Sequence, residues 1–134
     1  MLAVLGAAQG EFTPVQIQKL FFILDRKAEA QLGRHFDFRP YNYGPYDPAV
    51  YHEVQALAAR GLAFVDGQSR FRRYRITDEG TEAAAPILAG LPGSIQQYIR
   101  DVAHFVRSKS FAELVSAIYH EWPEMKANSI FHHQ

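Results

Sequence analysis

Hydrophobic positions along the chain change period several times, and each change marks an element. Ile17, Leu20, Phe21, Leu24 and Ala28 recur at helical spacing behind Thr13-Pro14-Val15-Gln16. That segment combines a capping threonine, a proline at the first helical position and a glutamine able to reach back to the cap. The pattern predicts a helix from about 14 to 32, ended near Gly33, with Lys19, Arg26 and Lys27 off its apolar stripe. Ahead of it, Leu2, Val4 and Leu5 in the apolar stretch 1–8 predict a first short core helix.

From 36 to 46 periodicity gives way to crowding, with Phe36, Phe38, Tyr41, Tyr43 and Tyr46 close together. Phe36-Asp37-Phe38-Arg39 alternates and suits a short strand, whereas Pro40, Gly44 and Pro45 bar anything long and regular. The expectation is an ordered loop packed by its own aromatics.

Asp47-Pro48 repeats the cap-then-proline device and opens a helix with Val50, Val54 and Leu57 on its buried stripe and Tyr51 beside it. Gly61 stops this helix. Leu62 to Val65 reads as a strand, Asp66-Gly67 as a turn and Phe71 to Thr77 as the returning strand. Alternation turns Tyr74 and Ile76 inward and Arg73 and Arg75 outward. Asp78 and Gly80 introduce a helix over roughly 79–90, and Leu91-Pro92-Gly93 breaks the chain. Ser94 to Gln97 and Ser110 to Glu113 both have capping-box spacing. They open two further helices, one with Ile95, Tyr98, Ile99, Val102, Phe105 and Val106, the other with Phe111, Leu114, Val115, Ile118 and Trp122 before Pro123.

This order predicts a single domain over 1–134 that is mainly α with a small β-hairpin. It is a winged-helix-like core, with helix and wing at 48–77, plus additional C-terminal helices at 94–122. A length of 134 residues, 48% of them apolar, is sufficient for one continuous core. No apolar run approaches the roughly 18 residues needed to span a bilayer, and the apolar start lacks the basic flank of a signal peptide. With no cysteine for disulfides, these features point to a cytoplasmic protein with no membrane partner.

Fourteen basic residues balance fourteen acidic ones, so a nucleic-acid role must rest on local charge. Between Arg60 and Arg75 there are five arginines against one acid, Asp66. In this stretch Arg70, Arg72, Arg73 and Arg75 are candidates for phosphate contact, or they keep an exposed hairpin soluble. Outside its buried stripe, the helix before the wing offers only His52, Gln55 and Arg60 to a base edge, and Glu53 opposes phosphate. Gln55 is the candidate base contact. No histidine forms a ligand pair with a carboxylate at helical spacing, and His132-His133 sits at the end of the chain. Nucleotide-binding glycine motifs and a nucleophile elbow are missing, so the sequence points to no catalytic residue, no metal and no cofactor.

Three stretches resemble the Panacea domain, the SocA-like antitoxin domain of bacteria and phages, and the similar YwgA-like proteins. They are Gln18-Lys19-Leu20-Phe21-Phe22, then Tyr43-Gly44-Pro45-Tyr46 with Val50-Tyr51, and finally Tyr119 to Glu124 with Asn128-Ser129. The chain departs from that pattern before Tyr43, where Arg39-Pro40-Tyr41-Asn42 stands in place of a frequent tryptophan, and in its arginine-rich wing. The resemblance implies a neutralising or adaptor protein rather than an enzyme, with a protein partner such as a cognate toxin. Tyr41, Tyr43, Gly44, Pro45, Tyr46 and Tyr51 are then the candidate partner-binding residues: proline and glycine stiffen the backbone, and tyrosines suit binding hot spots. The opposing reading of Tyr43 is that its ring seals the loop against the helix at 14–32. The alternative function is a winged-helix regulator that contacts DNA through the wing, and the C-terminal helices leave a homodimer open.

Overall fold

Helix α2 (Pro14–Lys27) runs through the middle of the protein and is buried from Ile17 to Asp25. Its cap is the one expected, with Thr13 Oγ1 accepting from Gln16 N and Gln16 Oε1 accepting from Thr13 N. Lys19, expected off the apolar stripe, is instead 3% exposed. Leu20-Phe21-Phe22-Ile23-Leu24 is apolar without a break, so α2 is covered on nearly every side and takes its polar residues inside with it. The helix also ends earlier than expected. The backbone departs from helical geometry at Ala28 (φ −122°, ψ 25°) and a short α3 (Glu29–Leu32) follows, capped by Gly33. No residue near Ala28 signals this break.

The computed structural model describes residues 1–131, except for the side chain of Arg70; His132 and His133 lie outside the described residues. The protein is mainly helical with small antiparallel sheets. Helix α1 (Leu2–Ala8) leads into a strand absent from the sequence reading, β1 (Glu11–Phe12). It pairs with β5 (Arg73–Ile76), which pairs in turn with β4 (Ala63–Asp66), in the order β1-β5-β4. Helix α4 (Ala49–Ala59) precedes β4, so the helix, hairpin and returning strand follow the order read from residues 48–77. Tyr74 and Ile76 face inward, and Arg75 faces out.

The tip of the hairpin differs from a two-residue turn at Asp66-Gly67. Asp66 pairs with Arg73, and the residues between them include a 3₁₀ turn at Ser69–Phe71. Helices α5 (Asp78–Ala89), α6 (Gly93–Ser108) and α7 (Phe111–Glu121) complete the fold, with a 3₁₀ turn at Pro123–Lys126. Ser110 and Glu113 form the expected capping box of α7. Ser94 does not cap α6, which starts at Gly93. Gln96 instead donates to Leu88 O (2.8 Å) and Leu91 O (3.1 Å), tying the end of α5 to α6. Arg107 on α6 donates to Gln9 O (2.7 Å) and lies 4.5 Å over the Phe12 ring, fixing the exit of α1. Among the described residues no helix is long and apolar enough to cross a membrane.

The junction of the β4–β5 hairpin and α5 explains the local pattern Arg60-Gly61-Leu62 with Thr77-Asp78-Glu79-Gly80. Gly61 N bonds Ala58 O and Leu62 N bonds Leu57 O, the paired carbonyl capping of a Schellman end. Thr77 Oγ1 donates to Gly61 O (2.7 Å) and accepts from Gly80 N (3.0 Å). A Cβ at Gly80 would collide with the Leu62 carbonyl oxygen, a backbone atom that cannot swing away. Gly80→Ala should therefore lower stability by about 2 kcal/mol or more by overpacking, despite the better helix propensity of alanine. Urea denaturation of the two proteins measures this, and an unchanged or raised midpoint contradicts it.

Candidate functional site

Residues 39–46 form a hairpin, β2 (Arg39–Tyr41) with β3 (Gly44–Tyr46), rather than a strand at 36–39 leading into a loop. Phe36 and Phe38 are core residues, in edge contact with Phe21 and Phe22 of α2. Pro40 lies opposite Pro45. Neither has an N–H to give, so pairing falls to the flanking pairs, Arg39 with Tyr46 and Tyr41 with Gly44. Gly44 has φ 99°, a conformation that a side chain strains, and Tyr119 and Lys19 lie against it.

Buried side chains hold this hairpin from behind. Gln18, 2% exposed, donates Nε2 to Asp47 O (2.9 Å) and accepts from Asp47 N on Oε1 (3.0 Å). Lys19 donates Nζ to Pro45 O (3.3 Å). The Asp47 carboxylate takes Ala49 N at the start of α4 and Asp37 N ahead of β2. The buried Asp25 carboxylate accepts Phe36 N (3.0 Å); burial holds its pKa above the usual range, against the pull of those backbone N–H groups. From the far side, Asn128 donates to Pro40 O (3.2 Å), Ile130 N to Asn42 O (3.0 Å) and Ser129 Oγ to Asn42 O (3.3 Å). Tyr119 OH steadies Ser129 at 2.6 Å. The stretches around Gln18, Tyr43 and Ser129 thus meet at one place.

Outward, the hairpin carries rings. Tyr41 stacks on Tyr46 (5.0 Å between centroids), Tyr46 meets Tyr51 edge-on (6.0 Å), and Tyr51 stacks on Tyr74 of the sheet (5.7 Å). Tyr43 does not seal the loop against α2. It packs edge-on against Phe111 at the start of α7 and stays 42% exposed. Between these two groups of rings lies a cavity of about 490 Å³, lined by Tyr41, Tyr43, Gly44, Pro45, Tyr46, Tyr51 and Phe111, with Gln18 and Lys19 from α2. Burial lowers the Lys19 pKa from 10.5 to about 7. Tyr51 donates its hydroxyl to Pro14 O (3.3 Å), and burial pushes its phenol up. A second cavity, about 700 Å³, lies between α6 and α7 beside Tyr98, Phe105 and Trp122.

The arginines of the β4–β5 hairpin whose side chains are described differ in exposure and contacts. Arg75 is exposed and lies over the Phe64 ring at 4.6 Å. Arg73 is half-buried and donates to Arg72 O (2.9 Å). Arg72 turns inward beside Tyr74, with its Nε buried and without a hydrogen-bond partner. The Arg70 side chain lies outside the described residues. Gln55 is exposed on α4.

No family model, curated protein or solved structure matches this chain. Gln18, Lys19 and Ser129 were absent from the candidate site residues read from the sequence. Their signal was their place in the same three motifs as the tyrosines, together with an α2 too apolar to leave a polar face.

Lys19 yields a test of sign. Below pH 7 its amine is charged in folded and unfolded chains alike, and the fold bears the full cost of the buried ammonium. Between pH 7 and 10.5 the folded chain releases that proton first, so stability from this group rises with pH. Lys19→Met should accordingly gain on the wild type by about 2–4 kcal/mol as pH is lowered from 9.5 to 6. Gln18→Ala should cost about 2 kcal/mol at either pH, since it strands two backbone groups of Asp47. Thermal melts of both variants check this; a Lys19→Met difference independent of pH contradicts the assignment.

Proposed function

We propose that this is a non-enzymatic, cytoplasmic binding protein, antitoxin-like or an adaptor, which neutralises or presents a protein partner on the face formed by Tyr41, Tyr46 and Tyr51. The observation that carries this reading is an exposed ring on a restrained backbone. Tyr41 is 52% exposed, yet it stands on a hairpin tied down by Gln18, Lys19, Asn128 and Ser129. Rings held this way lose little freedom on binding, and tyrosine is enriched at hot spots. The resemblance of the anchoring stretches to Panacea antitoxins supports the same direction.

The second reading, DNA contact by the wing, rests on Arg75 together with the exposed rings of Phe64 and Phe71, 44% and 66% exposed. Arg72, turned inward, weakens it.

Co-expression with the product of the neighbouring gene tests the first reading. The pair should co-purify and any toxicity of that product should be relieved. Tyr41→Ala and Tyr46→Ala should each weaken the complex at least about tenfold, the exposed Tyr41 with little change in melting temperature. A pair that neither associates nor relieves toxicity counts against it. A promoter fragment bound through the wing, with affinity falling steeply as salt rises and lost on Arg75→Ala, would favour the second reading instead.

A further inference from the structure

We propose that the cavity under the Tyr41–Tyr46 hairpin is a carboxylate subsite: it accepts an acidic group that the partner carries beside an apolar or aromatic side chain, with Lys19 as the cation. This rests on the binding face proposed above and specifies the chemistry that the face selects.

Charge comes first. Among the residues lining the cavity Lys19 is the one basic side chain, and no carboxylate lines it. Lys19 is 3% exposed, and among the described residues no acid pairs with it. An ammonium has three N–H donors, and here one hydrogen bond is made, to Pro45 O at 3.3 Å. Burying such a group without a counter-ion is costly, whereas an incoming carboxylate would supply both the opposite charge and the missing acceptors.

The walls then select the rest of the ligand. Tyr41, Tyr43, Tyr46, Tyr51 and Phe111 present ring surface to the cavity, which suits an apolar or planar side chain next to the acid. The same rings could attract a cation, but Lys19 at the base opposes one. A wholly apolar ligand would close the cavity over the ammonium without supplying the acceptors it lacks. A volume of about 490 Å³ admits one or two side chains, so an extended segment would dip in here while the rest of the partner lies across Tyr41 and Tyr46.

The acid could be a chain terminus or an internal side chain, and three probes separate these: N-acetyl-phenylalanine, N-acetyl-phenylalaninamide and N-acetyl-aspartyl-phenylalaninamide. Each is titrated below pH 7, where the Lys19 amine is charged, into the isotope-labelled protein while the Lys19 side-chain methylene and tyrosine ring signals are followed by NMR. At least one of the two acids should shift the Lys19 signals and bind about tenfold or more tightly than the neutral amide. Preference for the first acid identifies a C-terminal carboxylate, and preference for the third probe a side-chain one. In Lys19→Met the preference should vanish while the residual binding matches that of the amide. Should that variant not fold, the Lys19 shifts in the wild type decide. Equal binding of acid and amide, shifts confined to the groove at Tyr98 and Trp122, or no response to millimolar acid overturns the subsite. If a partner complex depends on Tyr41 while no acid preference exists, the subsite falls and the binding face stands. An acid response at Lys19 with no Tyr41-dependent complex has the opposite consequence.

Discussion

Gln18 and Lys19 leave water on α2, and they bond to the backbone of a different element. The Gln18 amide matches the N–H and C=O of Asp47 as a pair, and Lys19 reaches Pro45 O two residues earlier. A buried amide or ammonium left without such partners costs on the order of 1–3 kcal/mol or more. The hairpin therefore cannot drift from α2 without exposing α2 to that penalty. Position of the hairpin, start of α4 and depth of the cavity all follow from this one set of bonds.

The constraint is shared with the C-terminal segment. Asn42 O, at the hairpin turn, accepts from Ile130 N and Ser129 Oγ, and Ser129 is fixed by Tyr119 on α7. Trp122 packs edge-on against Phe22, while Lys27 pairs with Glu121 at 2.7 Å and lies over the Trp122 ring. The exposed ion pair adds little by itself. Its value is registry: it keeps the end of α7 alongside α2, which in turn keeps Ser129 under the hairpin.

Local patterns in the chain read through to structure where the cause is local. Thr13 and Ser110 cap as their spacing requires, the alternation of Arg73 to Ile76 sets the faces of β5, and the order of helix and hairpin holds. Failures have a common physical origin in competition from distant groups. Ser94 has the spacing of a cap, but Gln96 closes the α5–α6 junction and the helix starts at Gly93. Two-residue β1 is too short to carry a period and exists because Phe12 can lie opposite Tyr74. Lys19 lies off the apolar stripe yet is buried, because helical spacing alone cannot report that neighbours cover both faces of a helix. The candidate tyrosines were legible as residues, yet the cavity between them was not, since Phe111 and Lys19 come from other elements.

Tyr51 and Tyr74 join the two surfaces that the sequence had separated. Their rings stack, Tyr46 abuts Tyr51, and the inward-turned Arg72 influences both phenols. Arg72 is thus drawn toward the hairpin side. Hairpin and β5 thus share one aromatic support, in which the buried Tyr74 ring backs Tyr51 and Tyr51 in turn backs Tyr46.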